Sequence, residues 1–232
     1  MKVEKYIGII TAMDEEMLPI KKRLENLTAK TIYDLTFYEG TVGEKRYALV
    51  KSSIGKVNAG RSAQIMIDNY RLEYIINIGS AGSLNDNLNI CDWVIGREIV
   101  QHDADITAFG HKKGYIPNVG EMTFSSEELI QEYIEKIQDV EKNSGNGSKV
   151  VIGKIATGDS FCTDISLKER LQEEFGADCI EMEAGAIGQV CTLCDMPFIA
   201  VKSISDKPNG ENVIEYEKFI EIVSKKCAEI IF

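Results

Sequence analysis

The residues best suited to do chemistry are carboxylates that follow apolar runs. Asp14, Glu15 and Glu16 come just after the run Tyr6 to Thr11, Glu181 and Glu183 flank Met182, and Asp206 closes Ser203-Ile204-Ser205-Asp206. Two further runs end in Gly79-Ser80-Ala81-Gly82-Ser83 and Thr157-Gly158-Asp159-Ser160-Phe161. Carboxylates transfer protons and accept hydrogen bonds from alcohols, and in open parallel sheets ligands bind beyond the carboxyl ends of the strands. Each group also fits a local role. Asp14, Glu15 and Glu16 suit the first turn of a helix, Glu183 suits a helix cap and Asp206 the start of a turn. The stretch Gly79 to Ser83 suits a tight turn. It is no phosphate loop, because no Lys follows within it, and Ser53-Ile54-Gly55-Lys56-Val57 lacks the upstream Gly and the Ser/Thr. It also departs from G-x-G-x-x-G. Taken singly, these residues leave both kinds of role open.

Positioning them requires a scaffold, and the hydropathy pattern supplies one. Strand-like runs cover Tyr6 to Thr11, Arg46 to Ser52, Tyr74 to Ile78, Trp93 to Val100, Val150 to Ala156 and Pro197 to Ser203. They alternate with helical patterns over Asp14 to Leu27, Asn58 to Tyr70, Ser126 to Val140, Ser166 to Phe175, Glu183 to Cys194 and Asn212 to Ile231. That alternation predicts an α/β fold with a mostly parallel sheet and helices on both sides. The one linker-like stretch, Glu141 to Lys149, reads as a surface loop, so residues 1–232 are expected to form a single domain.

The chain has 232 residues, 44% hydrophobic and 27% charged, with a net charge of −11. That apolar content excludes disorder, and the sequence pI near 4.8 argues against nucleic acid or an anionic membrane as partner. No run reaches the roughly 20 apolar residues of a membrane span, and the N-terminus enters a strand without a signal-peptide pattern. The six cysteines are scattered, which fits a reduced cytoplasmic chain. Cys191 and Cys194 form C-x-x-C at the end of a helical pattern; with two His and no second pair, they read as core and no metal is expected.

Together the motifs carry a resemblance. Gly8 to Met17 (GIITAMDEEM), Ser53 to Ala59 (SIGKVNA), Ile76 to Gly82 (INIGSAG), His102 to Gly110 (HDADITAFG), Ala156 to Phe161 (ATGDSF), Ile180 to Ala184 (IEMEA) and Ser203 to Asp206 (SISD) stand in order along nearly the whole chain. This series resembles the 5′-methylthioadenosine/S-adenosylhomocysteine nucleosidases of the nucleoside phosphorylase superfamily. The resemblance implies a three-layer α/β sandwich with a mostly parallel mixed central sheet. It also implies hydrolysis of the N-glycosidic bond of methylthioadenosine, S-adenosylhomocysteine and 5′-deoxyadenosine, releasing adenine for methionine salvage without a cofactor.

By the same resemblance, Asp206 is the acid that protonates adenine and Glu16 the base that activates water, with Ser80 positioning that water. Glu183 would accept the ribose hydroxyls. Phe161 would stack on adenine, with the backbone of Cys162 reading its edge. Met13 and Met182 would pack on the nucleoside, Tyr216 would lie near the ribose, and Ser205 belongs to the binding set. Phe109 and Pro117 would line the 5′-substituent pocket of a neighbouring subunit in a homodimer. Lys202 stands where similar enzymes commonly have Arg, implying contact with Glu16 and the water without the planar fork of a guanidinium. Ser83 and Gln101 replace a usual Gly and Tyr. The alternatives are a purine nucleoside phosphorylase, a futalosine-type nucleoside hydrolase, or a nucleoside sensor without turnover. The acidic loop Asp14-Glu15-Glu16 disfavours the phosphate that a phosphorylase needs.

Overall fold

Strands covered on both faces must be apolar on both, and the runs named above become such strands. The computed structural model describes residues 5–145, 147–207 and 212–232, and only the backbone of Asn212 and Ile214. Its strands are β1 (Tyr6–Thr11), β2 (Glu25–Ile32), β3 (Leu35–Val42), β4 (Lys45–Lys51), β5 (Leu72–Ser83), β6 (Trp93–Gln101), β7 (Thr123–Phe124), β8 (Val150–Thr157), β9 (Cys179–Glu181) and β10 (Phe198–Asp206). Its helices are α1 (Asp14–Lys21), α2 (Lys56–Asn69), α3 (Glu127–Ser144), α4 (Ile165–Phe175), α5 (Ala184–Leu193) and α6 (Asn212–Ile231).

The strands form one mixed sheet. Its centre, β4-β1-β5-β10, is parallel, and β3 and β2 extend it antiparallel beyond β4. On the other side the sheet closes on itself. β10 runs antiparallel to β6, β6 parallel to β8, β8 parallel to β9, and β9 antiparallel to the end of β5. The 12 residues of β5 make this possible. Its body pairs with β1 and β10, while its last two residues, Gly82 and Ser83, turn to pair with Ile180 and Cys179. The closure draws the ends of β1, β5, β8, β9 and β10 towards one place.

Neighbouring residues of a strand face opposite sides, which makes two cores from one sheet. On β1 and β5, Ile10 and Ile75 join Met66 of α2 and Ile187 of α5. Their neighbours Ile9 and Ile76 join Ile20 of α1, Ile137 of α3 and Val223 of α6. A third cluster sets Leu171 of α4 against Val100, Ala156 and Ile180. The helices thus cover both faces.

The structure corrects the sequence reading in several places. The expected helix to Leu27 stops at Lys21, and Glu25 opens β2. Gly79 to Ser83 is the end of β5 and not a turn, and Ser203 to Asp206 likewise lies within β10. The helix before the expected loop runs on to Ser144, where Gly145 at φ 70° ends it as a left-handed cap. Asn146 lies outside the described residues. Cys191 is core, whereas Cys194 is half-buried at the surface. No helix among the described residues is long and apolar enough to cross a membrane.

Candidate active site

Glu16 sits in the first turn of α1, where the chain leaves β1. Its carboxylate folds back on that turn, accepting the N–H of Ala12 at 2.9 Å and of Met13 at 3.3 Å on Oε2. Oε1 accepts from Ser80 twice, from the backbone N–H at 2.9 Å and from the hydroxyl at 3.0 Å. The local role leaves the chemical one open: the residue that satisfies the helix start is held, buried, over β5. Only glycine fits beneath it, because a Cβ on Gly79 would stand 2.4 Å from Oε1.

Glu181 and Glu183 divide their tasks differently from the sequence expectation. Glu181 caps α5. It accepts the N–H of Glu183 at 3.0 Å and of Ala184 at 2.8 Å, and a short hydrogen bond from the Thr157 hydroxyl. The same hydroxyl accepts the N–H of Gly185 at 2.8 Å. Glu183 is thereby released from capping, and its carboxylate instead accepts the N–H of Gly55, in the loop after β4, at 2.9 Å. Burial pushes the Glu183 carboxyl up to about 7, aided by the charges of Glu181 and Glu16 and opposed by Lys202 and the Gly55 N–H.

Lys202 lies beneath this cluster with side-chain exposure of 2%, its ammonium 2.9 Å from Glu181. The expected direct contact with Glu16 is not what the structure places there; the salt bridge goes to Glu181. Burial works against the charge of Lys202, but the carboxylates of Glu181, Glu183 and Glu16 outweigh it and hold the ammonium above its ordinary pKa. A buried cation facing several buried carboxylates is the arrangement that avoids an uncompensated interior charge.

Asp206 ends β10, buried, with its Oδ1 accepting from the Ser205 hydroxyl at 2.7 Å. Its other oxygen lies above Gly82, 3.2 Å from where a Cβ would be. These groups border a cavity of about 520 Å³, within the usual range for small-molecule sites. Met13, Ser80, Phe161, Met182, Ser205 and Tyr216 line it with Glu16, Glu183 and Asp206. The Phe161 and Tyr216 rings meet edge to face at 5.8 Å. No Lys or Arg is among the described residues that line it.

Four expected residues stand apart from this cavity wall. Lys202 lies below it. Cys162 is buried beside it, its thiol 3.7 Å from the Asp164 carbonyl and pushed up in pKa mainly by burial. Phe109, 82% exposed in a short 3-10 turn, and the exposed Pro117 lie on the outside of the chain. Conversely, Glu181, noted in the sequence as half of an acidic pair but given no role, lines the cavity, as do Ile54, Val213 and Glu217, which were not singled out. The spacing of Glu181 and Glu183 around one residue, with a lysine in an apolar strand, was the signal for the first. Ile54 and Val213 read only as ordinary apolar residues.

The fold and this carboxylate-lined cavity define the class: residues 6–232 match the model of the Phosphorylase superfamily. A 5′-methylthioadenosine/S-adenosylhomocysteine nucleosidase of Halalkalibacterium halodurans is 39% identical over 226 residues, covering 97% of this chain and 95% of that protein. The nucleosidase of that name from Neisseria meningitidis, solved with methylthio-immucillin-A, superposes with a TM-score of 0.92 at 31% identity, over 98% of this chain and 96% of its own. That from Colwellia psychrerythraea, solved with adenine, gives a TM-score of 0.93 at 29% identity, over 98% and 93%. The chain belongs to the 5′-methylthioadenosine/S-adenosylhomocysteine nucleosidase family within that superfamily.

Proposed function

We propose that this chain hydrolyses the N-glycosidic bond of 5′-methylthioadenosine and S-adenosylhomocysteine, releasing adenine. The observation that carries the reading beyond family membership is the cavity wall: buried carboxylates and half-buried thioethers, with no cation among the described residues that line it. Such a wall suits a neutral nucleoside and repels phosphate, so water is the nucleophile. Asp206 supplies the proton that makes adenine a leaving group, and Glu16 takes the proton from water on the other face of the ribose. Ser80, already hydrogen-bonded to Glu16, helps to place that water. Ionised Glu183 accepts the two ribose hydroxyls. Phe161 stacks on the purine beside the backbone of Cys162, while Met13, Met182, Ser205 and Tyr216 enclose the nucleoside. Lys202 acts from below through Glu181.

The chain is read as one domain, supported by the single continuous sheet, and as a cytoplasmic homodimer. Six free cysteines support a reducing compartment. The exposure of Phe109 and Pro117 supports a shared 5′ pocket, since apolar groups that serve a site must be covered by something. Adenine release measured with and without phosphate tests the assignment. A panel containing methylthioadenosine, S-adenosylhomocysteine, 5′-deoxyadenosine and futalosine ranks the substrates.

A further inference from the structure

The displacement of Lys202 onto Glu181 leaves a question at the reacting centre. A water that attacks an anomeric carbon has two protons to place and one lone pair to aim. Glu16 can take one proton. Its own four hydrogen bonds come from Ala12, Met13 and Ser80; among these donors only the Ser80 hydroxyl, its proton given to Glu16, keeps lone pairs for the second proton, and the Lys202 ammonium only donates.

Tyr216 supplies a second acceptor beside Ser80. Its hydroxyl lines the same cavity wall as Glu16 and Ser80. It donates its single proton to the Met13 sulfur, 2.8 Å away, and Met13 is the residue whose N–H holds Glu16. A phenol whose proton is engaged turns its oxygen lone pairs outward as acceptors. The ring itself is fixed by the edge contact with Phe161. Burial and then the charge of Glu16 raise the phenol's pKa, against a hydrogen bond with the neighbouring Ser80 that lowers it, so it stays neutral and acts as a hydrogen-bonding group and not as a base.

We infer that the Tyr216 hydroxyl is a water-positioning group, accepting one proton of the attacking water while Glu16 accepts the other. With both protons held, the water's lone pair is left to point at the anomeric carbon. In the step that follows, the carbon–adenine bond breaks with its electron pair leaving on adenine, which is protonated by Asp206. The carbon–oxygen bond forms, and the water's proton passes to Glu16. This inference rests on the nucleosidase reading and adds a residue to it.

The arrangement discriminates between nucleophiles. Methanol carries only one hydroxyl proton, so it satisfies Glu16 or Tyr216 but not both. Tyr216→Phe keeps the ring and its contact with Phe161 and removes only the acceptor. The test is methylthioadenosine cleavage by wild type and Tyr216→Phe, in water and in water containing methanol, reading kcat, KM and the methyl glycoside share of the sugar product. The expected result is kcat lowered roughly 3- to 10-fold, the range of one neutral hydrogen bond, with KM within about twofold and a larger methanol share. Adenine release by wild type, with kcat and methanol share unchanged in the variant, overturns the role of Tyr216 and leaves the nucleosidase reading intact. No adenine release by wild type overturns both. A variant whose loss appears in KM alone assigns Tyr216 to ribose contact and also overturns the water role.

Discussion

The role proposed for Glu183 makes two conflicting demands. As the proposed acceptor of two ribose hydroxyls it must be ionised, yet burial and neighbouring carboxylates push its carboxyl up to about 7 from its ordinary 4.5. The folded chain therefore binds that proton more tightly than the unfolded chain. The stability this confers is fully present below about pH 4.5 and is lost as pH rises through about 7. At most it amounts to roughly 3 kcal/mol. Glu183→Gln cannot ionise, so denaturant melts should show it gaining on wild type between about pH 5 and 8. Over the same window the wild-type KM should fall as the carboxylate appears, and the Gln variant should show a high, flat KM. A wild-type KM independent of pH would remove Glu183 from ribose binding. The proposed acid and base carry a separate prediction: Asp206→Asn and Glu16→Gln should each lower kcat by about 10²- to 10⁴-fold, with circular dichroism unchanged. Wild-type kcat in either variant would dismiss that residue.

At the scale of elements, the site depends on α1 and β5 meeting without a side chain between them. A methyl group at Gly79 would overlap the Glu16 carboxylate and push it off Ser80. Displacing a reacting group by about 1 Å costs on the order of 10²-fold in rate. Gly79→Ala should thus fold with a loss of roughly 1–3 kcal/mol and lose far more activity than stability. Equal activity in Gly79→Ala would mean that Glu16 is not held where it acts. Lys202 offers the complementary case. Replaced by Met, it strands Glu181 with no counter-charge beneath α5, which should cost about 3–5 kcal/mol in a denaturant melt. Lys202→Arg should not raise kcat, because the longer guanidinium must fit a side chain that is only 2% exposed and already paired. These elements also show what the sequence could and could not reveal. The buried strands were legible because both faces are apolar, as in Ile9-Ile10 and Ile75-Ile76. β2 was not: Glu25 to Ile32 is an exposed edge strand with almost no buried face, so it shows no alternation, and Met17, Ile20 and Leu24 before it keep a helical rhythm. β9 spans three residues, too short to show a period. The carboxylates that line the cavity were visible through their motifs, whereas the pairing of Lys202 with Glu181 depends on sheet closure between distant strands.

At the scale of the whole molecule, the proposed second copy is at issue. Phe161 lines the cavity, while Phe109 and Pro117 face outward. If a second copy completes the 5′ pocket, sedimentation should show a dimer, and Phe109→Ala should raise KM for methylthioadenosine more than it lowers kcat. A fully active monomer would refute the shared site. The chain-wide charge of −11 and a cavity wall without a cation among its described residues bear on the central claim, that water and not phosphate cleaves the glycosidic bond. The most direct test is the stoichiometry of methylthioadenosine cleavage in phosphate-free buffer and in added phosphate. Equal rates in both, with adenine and free 5-methylthioribose as products, are predicted. A requirement for phosphate, or the appearance of a ribose 1-phosphate, would contradict the account.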